Sequence, residues 1–232
     1  MSSPLKGEVT VREPTPVQRA IARRAAEAKA TIPEITLDAE VEIDAVVALC
    51  RESMGGADKP RLSDFIIKAC GVALREFPTV NASYRDGRFE LYSRINIGIT
   101  IPGEGFIAVP TILDADRKSL MVIAAQTRVL ADRVREGGLS AGDLAGATFT
   151  VADIGVEGIA RFQAVISPPQ AASVAIASPR SAAVIEAGQV RERQVVTLSM
   201  SCDHRILYGA DAGTFLSRLR ALLARPQDWC SE

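Results

Sequence analysis

Ser199-Met200-Ser201-Cys202-Asp203-His204-Arg205-Ile206-Leu207-Tyr208-Gly209 is the stretch on which the reading of this 232-residue chain turns. His204 is its only histidine, so chemistry that needs an unperturbed base near neutral pH has one place to go. Alone, a single histidine at the end of a strand reads as a structural residue, because catalysis needs partners as well as a base. Cys202 precedes it by two positions and shares its face if the backbone is extended. A Cys/His nucleophile pair is then conceivable, but nothing in the sequence around Cys202 stabilises a thiolate. Packing is the expected role of Cys202.

Working outward, the flanks alternate between strand and helix patterns. Residues 194–202 read as a strand, paired as a hairpin with residues 184–190 around Gly188 and Gln189. The helix after Gly209 spans 210–224, with Ala212, Phe215, Leu216, Leu219 and Leu223 on one face and Pro226 ending the fold. Near the other end, Thr15-Pro16 starts a helix to about residue 30, Thr as cap and Pro in the first turn. Its Arg19, Arg23 and Arg24 read as a solvated face. Ile35, Leu37, Ala39, Val41 and Ile43 then alternate with Thr36, Asp38, Glu40 and Glu42, the pattern of a half-buried strand. Asp44 caps a helix to about residue 52, and residues 54–60 read as loop. Ser63 caps a further helix over 64–76.

Asp86-Gly87 sits between residues 81–84 and 89–92 as a hairpin turn. Residues 95–101 and 106–113 form an outgoing and a returning strand. Ser119 caps a long helix to about residue 136, closed by Gly137-Gly138. Residues 147–152 and 172–177 are further strands, separated by glycines and the rigid turn Ile166-Ser167-Pro168-Pro169-Gln170. The pattern predicts an α/β fold, a two-layer sandwich with a large mixed β-sheet and helices packed on it. Residues 1–14 are expected to be a flexible N-terminal arm and 15–232 one domain.

Composition excludes several function classes. The 27 basic and 28 acidic residues nearly cancel, so no electrostatic case exists for nucleic acid or an anionic membrane as partner. No apolar run reaches the roughly 18 residues of a membrane span. Residues 1–14 lack the apolar core of a signal peptide. Cys50, Cys70, Cys202 and Cys230 are widely spaced and show no C-x-x-C pair, so neither a disulfide scaffold nor a zinc site is expected. The expectation is a cytoplasmic, reduced protein without a metal.

Cys202-Asp203-His204-Arg205-Ile206-Leu207-Tyr208-Gly209-Ala210 resembles the Asp-His-Arg-x-x-Asp-Gly signature of the dihydrolipoamide acyltransferases. These form the core of the 2-oxo acid dehydrogenase complexes and share a fold with chloramphenicol acetyltransferase. The likeness extends in order from about residue 16 to residue 226. It runs through Arg19-Ala20-Ile21-Ala22-Arg23-Arg24, Asp64-Phe65-Ile66-Ile67-Lys68-Ala69 and Val80-Asn81-Ala82-Ser83-Tyr84. It continues through Asp114-Ala115-Asp116-Arg117-Lys118-Ser119-Leu120, Thr148-Phe149-Thr150-Val151 and Ser167-Pro168-Pro169-Gln170-Ala171.

The resemblance implies an acyltransferase catalytic domain over residues 15–232 that passes an acyl group between dihydrolipoamide and coenzyme A. Coenzyme A is a substrate, and the lipoyl group rides on another domain or chain. A thiol of pKa about 8.5 is mostly protonated at neutral pH, and His204 is implied as the general base that removes its proton. The family places this site at a subunit interface, which implies a homotrimer and contact with other 2-oxo acid dehydrogenase components. Residues 159–166 look closer to acetyl-type members, so acetyl is the expected acyl group. Relatives build 24- or 60-subunit cages through an apolar C-terminal anchor. Trp229 is the only side chain near the end suited to that role, and an isolated trimer is expected.

Two departures from the family pattern stand out. The signature's second Asp, which pairs with an arginine of the first helix, is Tyr208 here. Asp203, Tyr208 and Asp211 are read as site-supporting residues, with Tyr208 or Asp211 taking over Arg19. The family also carries Ser or Thr followed by Asn after the Thr-Phe-Thr strand, a hydroxyl that stabilises the tetrahedral oxyanion. Here those positions are Ala152 and Asp153, with Thr150 two residues back as a substitute donor. Losing one such donor costs about 2.7–4 kcal/mol of transition-state stabilisation, so reduced activity is expected. Two further readings follow: a catalytically impaired trimeric core, and a coenzyme A-dependent acetyltransferase acting on a small molecule.

Overall fold

A computed structural model describes residues 7–52 and 59–230. Residues 7–14 carry no helix or strand; residues 1–6 of the expected arm, most of the expected 54–60 loop, and Ser231 and Glu232 lie outside the described residues. Thr15 starts helix α1 (Pro16–Thr31): its hydroxyl accepts the Gln18 N–H at 3.2 Å and its own N–H donates to the Gln18 carboxamide at 2.9 Å. Strand β1 (Glu34–Glu42) shows the expected alternation and leads into α2 (Asp44–Glu52). Asp44 accepts the Gln194 N–H at 3.2 Å, tying the start of α2 to a strand 150 residues away. Helix α3 (Leu62–Glu76) begins two residues earlier than its sequence suggests. Arg61, not Ser63, is the capping residue, because the Asp64 carboxylate folds back to accept the Arg61 N–H at 2.8 Å.

The hairpin β2 (Ala82–Arg85) and β3 (Arg88–Leu91) turns on Asp86 and Gly87, both with positive φ (50° and 73°). That is the backbone a two-residue hairpin turn demands. The strands expected at 95–101 and 106–113 are each divided. Strand β4 (Ile97–Ile99) pairs with β7 (Thr111–Ile112) in the main sheet, while β5 (Ile101–Gly103) and β6 (Phe106–Ala108) form a separate ribbon. Pro110 lies at the break. It accepts from Ile99 N–H at 2.8 Å but has no N–H to return, so the ladder cannot run through it. Helix α4 (Leu120–Glu136) carries its expected Ser119 cap and ends at Gly137, φ 70°.

Strands β8 (Phe149–Asp153) and β9 (Ala172–Ile176) are parallel neighbours; β10 (Arg180–Glu186) and β11 (Gln189–Asp203) follow. The turn between the last two is Ala187-Gly188, so Gln189 belongs to the strand and pairs with Glu186. Helix α5 (Gly209–Ala224) completes the chain of elements. The main sheet has the order β1-β11-β9-β8-β4-β7, with β10 continuing the β9 edge of β11.

This is the expected two-layer α/β architecture. One sheet face buries Val41, Phe149, Val151, Val174, Leu198, Met200 and Cys202 against α3, α4 and α5. The other face, bearing Thr150, Ala152, Ser173, Ala175 and Ser201, is covered by residues 154–170 crossing without regular structure. That crossing is held by Ser201 Oγ donating to Ala164 O at 2.9 Å and by Arg161 pairing with Asp38 at 3.0 Å.

Candidate active site

Strand β11 delivers the signature to the end of the sheet. Asp203 N–H donates to Ala171 O at 2.8 Å and His204 N–H to Pro33 O at 2.9 Å, so the backbone on either side of the turn is tied to a different neighbour. Asp203 is buried, 2% exposed, and its carboxylate is fully engaged. Arg205 donates to it through Nε at 2.9 Å and Nη2 at 2.7 Å, and through its own N–H at 3.0 Å. These bonds hold the Arg205 guanidinium above its ordinary pKa. The same guanidinium lies 4.6 Å above the Tyr84 ring, a cation–π contact that adds roughly 0.5–1 kcal/mol. Breaking such a pair strands a buried charge, at about 3–5 kcal/mol. Asp203 therefore acts as a structural anchor under the turn.

His204 itself is exposed. Its ring meets that of Tyr208, centroids 5.6 Å apart and planes crossed at 68°. Cys202 points the other way, into the core, and burial with the Asp203 charge beside it pushes its thiol up to about 12. It is packing, as expected, and no thiolate is available there near neutral pH.

The arginine expected to meet Tyr208 or Asp211 does not. Arg19 Nη1 donates to Pro14 O at 2.5 Å on the outside of α1. Asp211 Oδ2 instead accepts the Tyr208 N–H at 3.2 Å, closing the first turn of α5, and the Tyr208 side chain is 54% exposed. Helix capping wins because Asp211 sits at the third helical position, where a carboxylate reaches back to the cap N–H at no cost in reach.

The three oxyanion candidates lie on β8, away from His204. Thr150 is buried and donates its one hydroxyl proton to Gln170 Oε1 at 2.7 Å. Gly98 leaves room for it, since a Cβ there would meet Thr150 Oγ1 at 3.3 Å. Ala152 packs with Ala164, Ala175 and Phe162. Asp153 exchanges backbone bonds with the Thr100 hydroxyl at 2.9 and 3.0 Å, and its Oδ1 accepts the Gly155 N–H at 2.9 Å. The register fixes the separation. Ala152 stands level with Ala175 and, across β9, with Ser199, four residues before Asp203 and two strands over. At about 3.3 Å per residue and 4.8 Å per strand, the five residues on to His204 and the two strands across make roughly 19 Å. One chain does not bring His204 and Ala152 together.

A groove of about 560 Å³ runs between α2, α3 and α4. Ile43, Val46, Val47, Cys50 and Leu62 give it an apolar floor, and Arg51, Lys59, Arg61 and Arg128 ring it. Arg128 is committed to the wall, donating to Ala124 O at 2.8 Å and to Lys59 O. Arg51 and Arg61 show no ion pair among the described residues. Sequence reading missed this groove, because its walls come from three separate segments. Among the described residues no cluster of three His, Cys, Asp or Glu is arranged to hold a metal.

The family model for the 2-oxoacid dehydrogenases acyltransferase (catalytic domain) matches residues 6–231. The dihydrolipoyllysine-residue acetyltransferase component of the pyruvate dehydrogenase complex from Zymomonas mobilis is 34% identical over 214 residues, covering 90% of this chain and 49% of that one. The chain thus spans about half the length of such curated relatives. Dihydrolipoamide acetyltransferase from Azotobacter vinelandii superposes with a TM-score of 0.93 at 26% identity, covering 97% of this chain and 95% of that one. A serine, a histidine and an asparagine of that enzyme have been investigated for their role in its catalytic mechanism. Chloramphenicol acetyltransferase shares the fold, at a TM-score of 0.55 and 15% identity over 87% of this chain and 94% of that one. Matched from residue 6 to residue 231, around a signature that ends β11 and opens α5, the chain belongs to the acyltransferase catalytic-domain family of the 2-oxoacid dehydrogenases.

Proposed function

We propose that this domain moves an acetyl group between a dihydrolipoyl thiol and coenzyme A, with His204 as the general base. The observation that carries the reading is the state of the signature: the sole histidine is exposed on a pinned backbone, while its acidic neighbour is already spent on Arg205. The neutral imidazole takes the thiol proton of coenzyme A as sulfur attacks the thioester carbonyl. The tetrahedral intermediate then collapses, the C–S bond to the dihydrolipoyl group breaks, and the imidazolium returns the proton to the departing sulfur. In the Azotobacter enzyme the serine precedes the histidine by 52 positions and the asparagine follows it by four. The same intervals from His204 fall on Ala152 and Tyr208, which supports reading Ala152 as the vacant hydroxyl position.

A thiol-release assay with free dihydrolipoamide and a series of acyl-coenzyme A donors tests this. Acetyl transfer to dihydrolipoamide supports the reading. Turnover only with a hydroxyl or amine acceptor points to the small-molecule acetyltransferase instead, and no turnover from an intact oligomer to the impaired core.

The roughly 19 Å between His204 and Ala152 supports a site completed by a neighbouring subunit, hence a homotrimer. Helix α1 agrees, burying only Ala28 within its own chain. Trp229 is not the cage anchor the sequence suggested. It is 7% exposed, its Nε1–H donates to Leu222 O at 2.9 Å, and its ring meets Phe65 edge-on at 6.4 Å. Light scattering of this chain is expected to give three times 24.7 kDa; a mass of 24 or 60 chains overturns the isolated trimer. No helix among the described residues is long and apolar enough to cross a membrane. All four cysteines are free, which supports a reducing, cytoplasmic setting.

A further inference from the structure

We infer that Tyr208 is the positioning residue for His204, acting through its aromatic ring rather than its hydroxyl. This rests on His204 being the base. A base works only when its ring nitrogen points at the proton it takes, and an exposed imidazole free to rotate spends most of its time elsewhere. The His204 backbone is fixed by Pro33 O, but no side-chain hydrogen bond fixes its ring among the described residues. What the ring meets is Tyr208, at 5.6 Å between centroids and 68° between planes, within the edge-to-face geometry that aromatic pairs favour.

Tyr208 is itself well placed to serve as a stop. Its N–H is held by Asp211 at 3.2 Å and its carbonyl accepts the Ala212 N–H at 3.1 Å, so its Cα is fixed by the start of α5. Its hydroxyl finds no partner among the described residues, and Arg19, the partner the sequence suggested, is bound to Pro14 O. Within the chain the ring is therefore the part of Tyr208 that meets His204. Gly209, next in the chain, places no side chain over it.

Two variants separate ring from hydroxyl. Tyr208→Phe keeps the ring and the backbone cap; Tyr208→Ala keeps only the cap. Acetyl transfer by Tyr208→Phe should match the parent within about twofold, while Tyr208→Ala should lose about 3- to 10-fold in kcat with KM little changed. An independent arm uses the uniqueness of His204: its ring-proton NMR signals are the only histidine signals in the chain. They should keep their ring-current shift in Tyr208→Phe and lose it in Tyr208→Ala. Equal loss in both variants assigns the effect to the hydroxyl and overturns the inference. So does Tyr208→Ala with parental kcat and unmoved signals. If His204→Ala retains full turnover, the acyltransferase base falls, and the NMR arm still decides whether the ring holds the imidazole.

Discussion

His204→Ala is expected to lower kcat for acetyl transfer by about 10²–10⁴-fold, the range a positioned general base contributes. No neighbour can replace it. Cys202 faces the core with its thiol pushed up to about 12, and Asp203 is buried under the bidentate Arg205 pair. KM for both thiols should change little, since the base acts on the proton in transit and not on the bound ground state. The variant should fold normally. The imidazole is exposed, and the backbone bond to Pro33 O survives substitution, so a stability change within about 0.5 kcal/mol is expected. Steady-state rates beside a thermal melt check both points. A kcat within threefold of the parent, from a normally folded protein, removes His204 from the mechanism.

How far the sequence could carry this is clearest where local chemistry decides the outcome. The alternation over residues 35–43, the Asp86-Gly87 turn and the Thr15 and Ser119 caps depend on neighbours a few positions away, and all stand in the structure. The signature at the end of β11 was legible because a sole histidine inside an ordered series of matching peptides leaves little choice. What was hidden depends on contacts distant in sequence. Pro110 divides two strands because of what it fails to donate across the sheet. Trp229 disappears into the core because Phe65 and Leu222 are waiting for it. Arg19 and Asp211 each found a partner close by in sequence, Pro14 and the Tyr208 N–H, before they could find one another. Pairing inferred from residue types overlooks such local competitors. The distance between His204 and Ala152 likewise emerges only once strand order and register are known.

Ala152→Ser is expected to raise kcat by about 10²-fold, because it restores the hydroxyl that the proposed transition state lacks. A single oxyanion donor contributes about 10²–10³ in kcat. The obvious internal substitute is already spent: Thr150 gives its only proton to Gln170 Oε1 at 2.7 Å. Asp153 adds no donor, and its Oδ1 is turned back onto the Gly155 N–H at 2.9 Å, which keeps at least that oxygen from opposing the developing charge. The side chain at 152 shares the Thr150 face of β8 and packs with Ala164, Ala175 and Phe162. A serine there is small enough to be accommodated, but its hydroxyl is buried without a partner in the resting chain. That desolvation should lower stability by about 1–3 kcal/mol, so the gain in rate comes with a lower melting temperature. KM should hold, since the new bond strengthens only as the oxyanion forms. The decisive control is the same substitution in a His204→Ala background. Without the base the intermediate is rarely reached, and groups that act on one transition state are strongly non-additive, so the gain should shrink well below tenfold. A hundredfold gain that persists without His204 means the hydroxyl works on some other step, and no gain with His204 intact means that the oxyanion is held elsewhere than at position 152.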